Sequence, residues 1–183
     1  MQKLSETLIL TTAEQMIEAS GMEKVSLSNV AERLGTSHAA LYKYFQNKKD
    51  LWGALSIKWL DTILSETFSF DAGQYSDKVP LIHDWLWSLS RAKYESFVND
   101  PKMFALYTTY VDNDEALLAR HMQDLNTKLV TLTGLSEQAA SNIIMTFSWF
   151  TAPAFAKSWG KVDFKGQFEN MWQFVWPAIK ALL

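Results

Sequence analysis

Residues 26–51 read Ser26-Leu-Ser-Asn-Val-Ala-Glu-Arg-Leu-Gly35, Thr36-Ser-His-Ala-Ala-Leu-Tyr-Lys-Tyr-Phe45, Gln46-Asn-Lys-Lys-Asp-Leu51. The Ser26 hydroxyl can accept an orphan backbone N–H, the apolar residues Leu27, Val30, Ala31 and Leu34 recur at three and four, and Gly35 can end the run. That pattern predicts a helix of about two turns. Ser37 can cap a second short helix through Ala40, Leu41, Tyr44 and Phe45. Asn47, with Asp50 three residues on, predicts a much longer helix through Trp52, Leu55, Trp59 and Ile63, reaching toward Phe68. Two short amphipathic helices joined by a tight turn have the form of a helix-turn-helix, whose second helix can enter a DNA major groove. With Leu41 and Phe45 inward, His38, Ala39, Tyr42 and Lys43 face out, and Lys48 and Lys49 follow just beyond. Similar corners also serve as plain packing in all-helical proteins, so spacing alone leaves DNA binding open.

Outward from this stretch the chain continues as helix after helix. Ile9, Ala13, Met16 and Ile17 mark one helical face that ends at Ser20-Gly21. Downstream, residues 71–77 have turn composition, and Pro80 suits the first position of a helix over about 79–98. That helix carries Ile82, Trp85, Leu86 and Leu89 on one face and Trp87, Tyr94 and Val98 on another, as a central helix would. Further helices are expected after Asn99-Asp100-Pro101, after Asp112-Asn-Asp114 as far as Gly134, from Ser136, and from Asp163 onward. The expected fold is all-α with about nine helices: a three-helix head over residues 1–47 and a helical remainder over 48–183. Only 7 Gly and 4 Pro, too few for the many turns of a sandwich, agree with that.

Composition narrows the function classes. The 183 residues are 48% hydrophobic and 20% charged, with 8 Trp, 6 Tyr and 11 Phe, a composition that folds. With no cysteine, disulfides, thiolate metal sites and cysteine nucleophiles are excluded. The amino-terminal residues lack the charged start and apolar core of a secretory signal, so a cytoplasmic protein is expected. The uncharged run 138–156 approaches spanning length, but its polar residues and Pro153 favour one buried helix. A net charge of -3 argues against coating nucleic acid by bulk positive charge. Locally the balance differs: Arg33, Lys43, Lys48 and Lys49 fall in a segment without an acidic residue.

Together, Ser26–Gly35, Thr36–Leu51, the Leu41–Phe45 element LYxYF and the Asn-Lys-Lys-Asp-Leu helix start resemble the DNA-binding signature of the tetracycline-repressor (TetR) family of bacterial transcription regulators. The resemblance covers roughly residues 6–55; beyond it only length and helical layout are similar. It implies that Thr36, Ser37, His38, Ala39 and Ala40 face base edges, where the alanines offer only apolar contact. It implies that Tyr42 meets the DNA backbone and that Lys48 reaches phosphate. Ser26, Ser28, Lys43, Tyr44 and Lys49 complete the candidate DNA-binding set. His38 and Lys43 are the candidates for reading sequence.

One such unit makes too few contacts for specific binding, so a homodimer on a palindromic double-stranded operator is expected. Ile143, Phe147, Phe150 and Ala154, with Phe168, Trp172, Val175 and Ile179, form two apolar stripes suited to the dimer interface. A pocket for a small apolar or aromatic effector is expected among Trp85, Trp87, Tyr94, Met103, Phe104, Tyr107, Met122, Met145 and Trp149. Effector binding would then release a repressor from DNA. No metal, cofactor or membrane partner is expected. Catalysis is not expected either, because the three histidines join no known catalytic motif and the adjacent His83 and Asp84 point apart on a helix. The rival reading is a helical carrier of a small apolar ligand without DNA binding.

Overall fold

The computed structural model describes residues 3–183, and every regular element among them is helical. By compactness the chain forms two units. The first contains the chain up to Thr62 together with Asp100–Glu115, and the second contains Ile63–Asn99 and Ala116–Leu183.

The first unit opens with α1 (Glu6–Ser20), capped by the Ser5 hydroxyl, which accepts from the Leu8 N–H. Gly21, at a φ of 84°, ends it by donating its N–H to the Ile17 carbonyl. Helices α2 (Leu27–Arg33) and α3 (His38–Leu41) follow, then α4 (Lys48–Ile63). Ile9, Ala13, Ile17, Val30, Leu41, Leu51, Trp52 and Leu55 form a core closed to solvent. Each large apolar side chain so buried stabilises the unit by about 1.5–3 kcal/mol. From the later part of the chain, α7 (Pro101–Tyr107) packs on α1. The Trp59 indole N–H donates to Asp100 Oδ2 at 2.9 Å, and the Trp59 ring lies against Phe104 and Tyr107.

The second unit is arranged around α6 (Lys78–Asn99), against which α5 (Ser65–Phe68), α10 (Ser148–Thr151), α11 (Ala156–Trp159) and α12 (Phe164–Lys180) pack. Helices α8 (Glu115–Thr133) and α9 (Glu137–Thr146) complete the α-helical set. Pro80 occupies the third position of α6, where a missing N–H still breaks no intrahelical bond, and Asp77 accepts from the Val79 N–H. The Trp87 and Tyr94 stripe is covered by Phe164 and Phe168 of α12, whereas Val98 is exposed.

Twelve α-helical segments are present among the described residues, more than the pattern predicts. The uncharged stretch is not one helix. It breaks at Phe147, whose φ and ψ are -95° and 11°, and again at Pro153, leaving α9, α10, a short 3-10 turn and α11. The long helix from Asn47 likewise stops at Ile63, and α5 is a separate turn.

Candidate functional site

Helix α2 starts with a reciprocal cap: Ser26 Oγ accepts from the Asn29 N–H at 3.2 Å, and Asn29 Oδ1 accepts from the Ser26 N–H at 3.0 Å. The same Asn29 oxygen accepts from the Ser26 hydroxyl, so this hydroxyl is engaged within the helix start. At the other end Gly35 has a φ of 63°, a left-handed value that costs a residue with a Cβ about 1–2 kcal/mol. Its N–H donates to Glu32 O and the Thr36 N–H donates to Ala31 O, which satisfies two orphan carbonyls of α2. One residue later Ser37 Oγ accepts from the Ala40 N–H at 3.2 Å and starts α3. The turn between the helices is therefore as tight as glycine permits.

Beyond Leu41 the chain continues as hydrogen-bonded turns to Phe45. Leu41 and Phe45 are buried against the core of the unit. Ser28, Ser37, His38, Ala39, Tyr42, Lys43, Tyr44, Lys48 and Lys49 are exposed, while Ser26, Thr36 and Ala40 are half-buried. Most of the candidate DNA-binding residues are thus open to solvent. The His38 ring meets the edge of Tyr42 with centroids 4.7 Å apart. The Tyr44 hydroxyl is occupied, donating to the Leu4 carbonyl at 2.9 Å.

At the head of α4, Asn47 Oδ1 accepts from the Asp50 N–H, and Asp50 accepts from the Gln46 N–H. The cap fixes Lys48 and Lys49 in the first turn, where the helix dipole favours an incoming anion. The Lys48 ammonium lies 5.7 Å above the Trp52 ring. Lys49 instead reaches Asp114, which follows the π turn Thr108–Asp112, at 2.7 Å. The hydrogen bond and charge of Asp114 raise the Lys49 pKa above its ordinary value.

The candidate pocket residues are divided between the two units. Met103, Phe104 and Tyr107 are buried in the first unit with Trp59. In the second unit Trp85 is buried and donates to the Thr67 carbonyl, while Trp87 and Tyr94 lie against α12. Met122 is half-buried, and Met145 is 62% exposed, so it lines no interior space. Trp149 does border an open groove of about 410 Å³, shared with Phe150, Gln167, Asn170, Met171 and Phe174. The pattern missed a polar interior in this unit: Ser90 and Lys93 of α6 and His121, Asn126 and Thr133 of α8 are all buried. Burial and the nearby Lys93 charge push the His121 pKa down to about 3. Both residues were detectable, since Lys93 follows Leu86 and Leu89, and His121 follows Leu117 and Leu118, at apolar-stripe spacing.

The two apolar stripes proposed for the dimer are used in part within the chain. Of the dimer candidates, Ile143, Phe147, Phe150, Phe168, Trp172 and Ile179 are buried within the chain itself, Val175 is half-buried and Ala154 is exposed beside the exposed Phe155. Packing among α6, α9, α10 and α12 covers much of both stripes, and the most exposed large apolar side chains among the described residues are Phe174 and Met145. His83 and Asp84 also do not point apart, since their side chains curl together with Nδ1 2.6 Å from Oδ1. The other ring nitrogen faces Glu169 at 3.0 Å and Tyr75 donates to Asp84, a network joining α6 to α12 and the 71–77 turn. Among the described residues no three acidic or histidine groups could hold a metal, and no helix is long and apolar enough to cross a membrane.

Residues 9–55 match the family model described as bacterial regulatory proteins, tetR family, and residues 81–172 match the tetracyclin repressor-like C-terminal domain. Tetracycline repressor protein class C of Escherichia coli is 39% identical over 56 residues, a match spanning 31% of this chain and 26% of that protein. BioQ of Mycobacterium smegmatis has a similar structure at a TM-score of 0.59 and 20% identity, covering 98% of this chain and 100% of that one. ActR of Streptomyces coelicolor, solved in complex with (S)-DNPA, gives a TM-score of 0.60 at 16% identity over 99% of both chains. With the second family model alone spanning half of the sequence and the first falling on the helix-turn-helix, the protein belongs to the TetR family of bacterial regulatory proteins.

Proposed function

We propose that this TetR-family transcriptional regulator is a cytoplasmic repressor that binds a palindromic operator as a homodimer and leaves it when a small effector binds. The observation that carries the reading is the exposed face of residues 37–49, where hydroxyl, imidazole, phenol and ammonium groups stand on a turn and helix fixed from beneath by Leu41 and Phe45. Such groups contact phosphate and base edges. In this reading the domain of residues 1–47 binds DNA through Ser28, Thr36, Ser37, His38, Ala39, Ala40, Tyr42 and Lys43, with Lys48 and Lys49 from the start of the next domain also at the duplex, and the remainder of residues 48–183 senses the ligand and holds the dimer. Ser26 contributes chiefly through its cap and Tyr44 through its bond to the Leu4 carbonyl, since their hydroxyls are engaged. A second copy would cover Met145 and Phe174.

The effector would enter the second unit, whose interior combines aromatic rings with buried polar groups, so a ligand with both an apolar body and a polar end suits it better than a purely apolar one. ActR, a structural neighbour, is complexed with a small molecule, which supports a ligand-responsive reading.

Selection of bound duplexes from a random-sequence pool tests the proposal. Enrichment of a palindrome with half-sites about one helical turn apart is expected. Failure to retain any duplex, even at low salt, would overturn it and favour a ligand carrier.

A further inference from the structure

We infer that Asp114 competes with DNA phosphate for Lys49, so that an ion pair inside the first unit holds down the protein's affinity for the duplex. The inference rests on the DNA-binding reading of residues 37–49. Lys48 and Lys49 are neighbours in the first turn of α4, yet their surroundings differ. Lys48 carries its ammonium over an apolar ring, with no carboxylate bonded to it among the contacts described above. Lys49 is bonded to a carboxylate oxygen at 2.7 Å, although its side chain is 68% exposed. The exposure matters: the ammonium is open to a second anion from the solvent side.

Asp114 is held from its own side. Its side chain is only 19% exposed, its N–H donates to the Val111 carbonyl, and the neighbouring Asn113 amide donates to the Thr108 carbonyl. These bonds fold the chain after the π turn so that the carboxylate is presented to α4 rather than to water. A π turn is rare and marks a place where a helix has been re-aimed. The pair thus joins an exposed lysine to a mostly covered carboxylate, and the lysine is the partner that can change allegiance. A phosphate can win it, because an exposed ion pair screened by water is weak. The energy of the broken pair is then subtracted from DNA binding.

The test is a double-mutant cycle on the full chain, using a labelled mixed-sequence duplex of about 30 base pairs at low salt. Asp114→Asn, which keeps the shape and removes the charge, should tighten binding about two- to fivefold. In the Lys49→Gln background the same substitution should give no gain. Unchanged affinity for Asp114→Asn would overturn the inference. So would a gain that persists without Lys49, since that gain would come from removing a negative charge near the duplex. Asp114→Ala provides a second removal of the carboxylate, and coincident melting curves establish that each variant is folded. If the unaltered protein fails to bind any duplex, the DNA-binding reading falls and the inference falls with it, an outcome distinct from normal binding that is insensitive to Asp114.

Discussion

Lys48 and His121 are one exposed and one buried group whose charge states have opposite consequences. The Lys48 ammonium stands over Trp52 at the positive end of α4, open to solvent. In the DNA-binding reading it neutralises one phosphate. Lys48→Ala should therefore weaken binding to all sequences alike and reduce the slope of log affinity against log salt by about 0.9. An unchanged slope would mean that the ammonium stays in water. His121 is buried and kept neutral, its pKa pushed from 6.5 to about 3 by burial first and Lys93 second. Between those values the unfolded chain takes up a proton that the folded chain refuses. Its contribution is thus retained above pH 6.5 and lost as pH falls toward 3. Relative to the unaltered protein, His121→Gln should gain about 2 kcal/mol between about pH 7 and pH 5, as read from urea unfolding at each pH. A difference that does not move with pH would show that the ring charges freely in the folded chain.

At the scale of elements, the turn between α2 and α3 depends on a single backbone angle. Gly35 sits at a φ of 63°, and a Cβ built there would meet nothing within 4 Å. Gly35→Ala is therefore a test of strain without a clash. A loss of about 1–2 kcal/mol in urea unfolding is expected. No loss would mean that the turn relaxes to another conformation. This element was legible in the sequence because its determinants are local: Ser26, Ser37, Asn47, Asp100, Ser136 and Asp163 all cap helices at the positions where their spacing predicts. The face of residues 37–49 was legible for the same reason, since burying Leu41 and Phe45 fixes which neighbours turn outward. What covers an apolar stripe is a tertiary fact that periodicity does not hold. Phe168 and Trp172 meet α6 of their own chain, Phe104 and Tyr107 join Trp59, and the 138–156 run is broken at Phe147 by backbone angles that its composition does not reveal.

At the scale of the whole molecule, specific recognition of a palindrome needs two reading heads at a fixed separation, and one chain supplies one. The surface available for joining copies is defined by what the second unit fails to bury. Phe174 on α12 is 83% exposed and Met145 on α9 is 62% exposed. Along α12, Met171, Val175 and Trp176 are half-buried, and the groove beside Phe174 continues to Trp149. An apolar ring so open to water is a cost that a partner surface removes, by about 25 cal/mol for each Å² covered. If copies join as proposed, Phe174→Glu should convert the dimer to a monomer in light scattering while leaving the helical circular dichroism and the melting curve of the separate chain intact. Binding to a selected palindrome should fall with the mass, whereas the weak, salt-sensitive binding to mixed-sequence duplex, which needs only phosphate contacts, should remain. Phe174→Glu together with Met145→Glu sharpens the test, because a single charge at the rim of an interface can still reach water. Retention of the dimer mass by the double variant would assign the contact to another face, since two carboxylates could not be desolvated at the centre of an apolar interface without several kcal/mol of cost each.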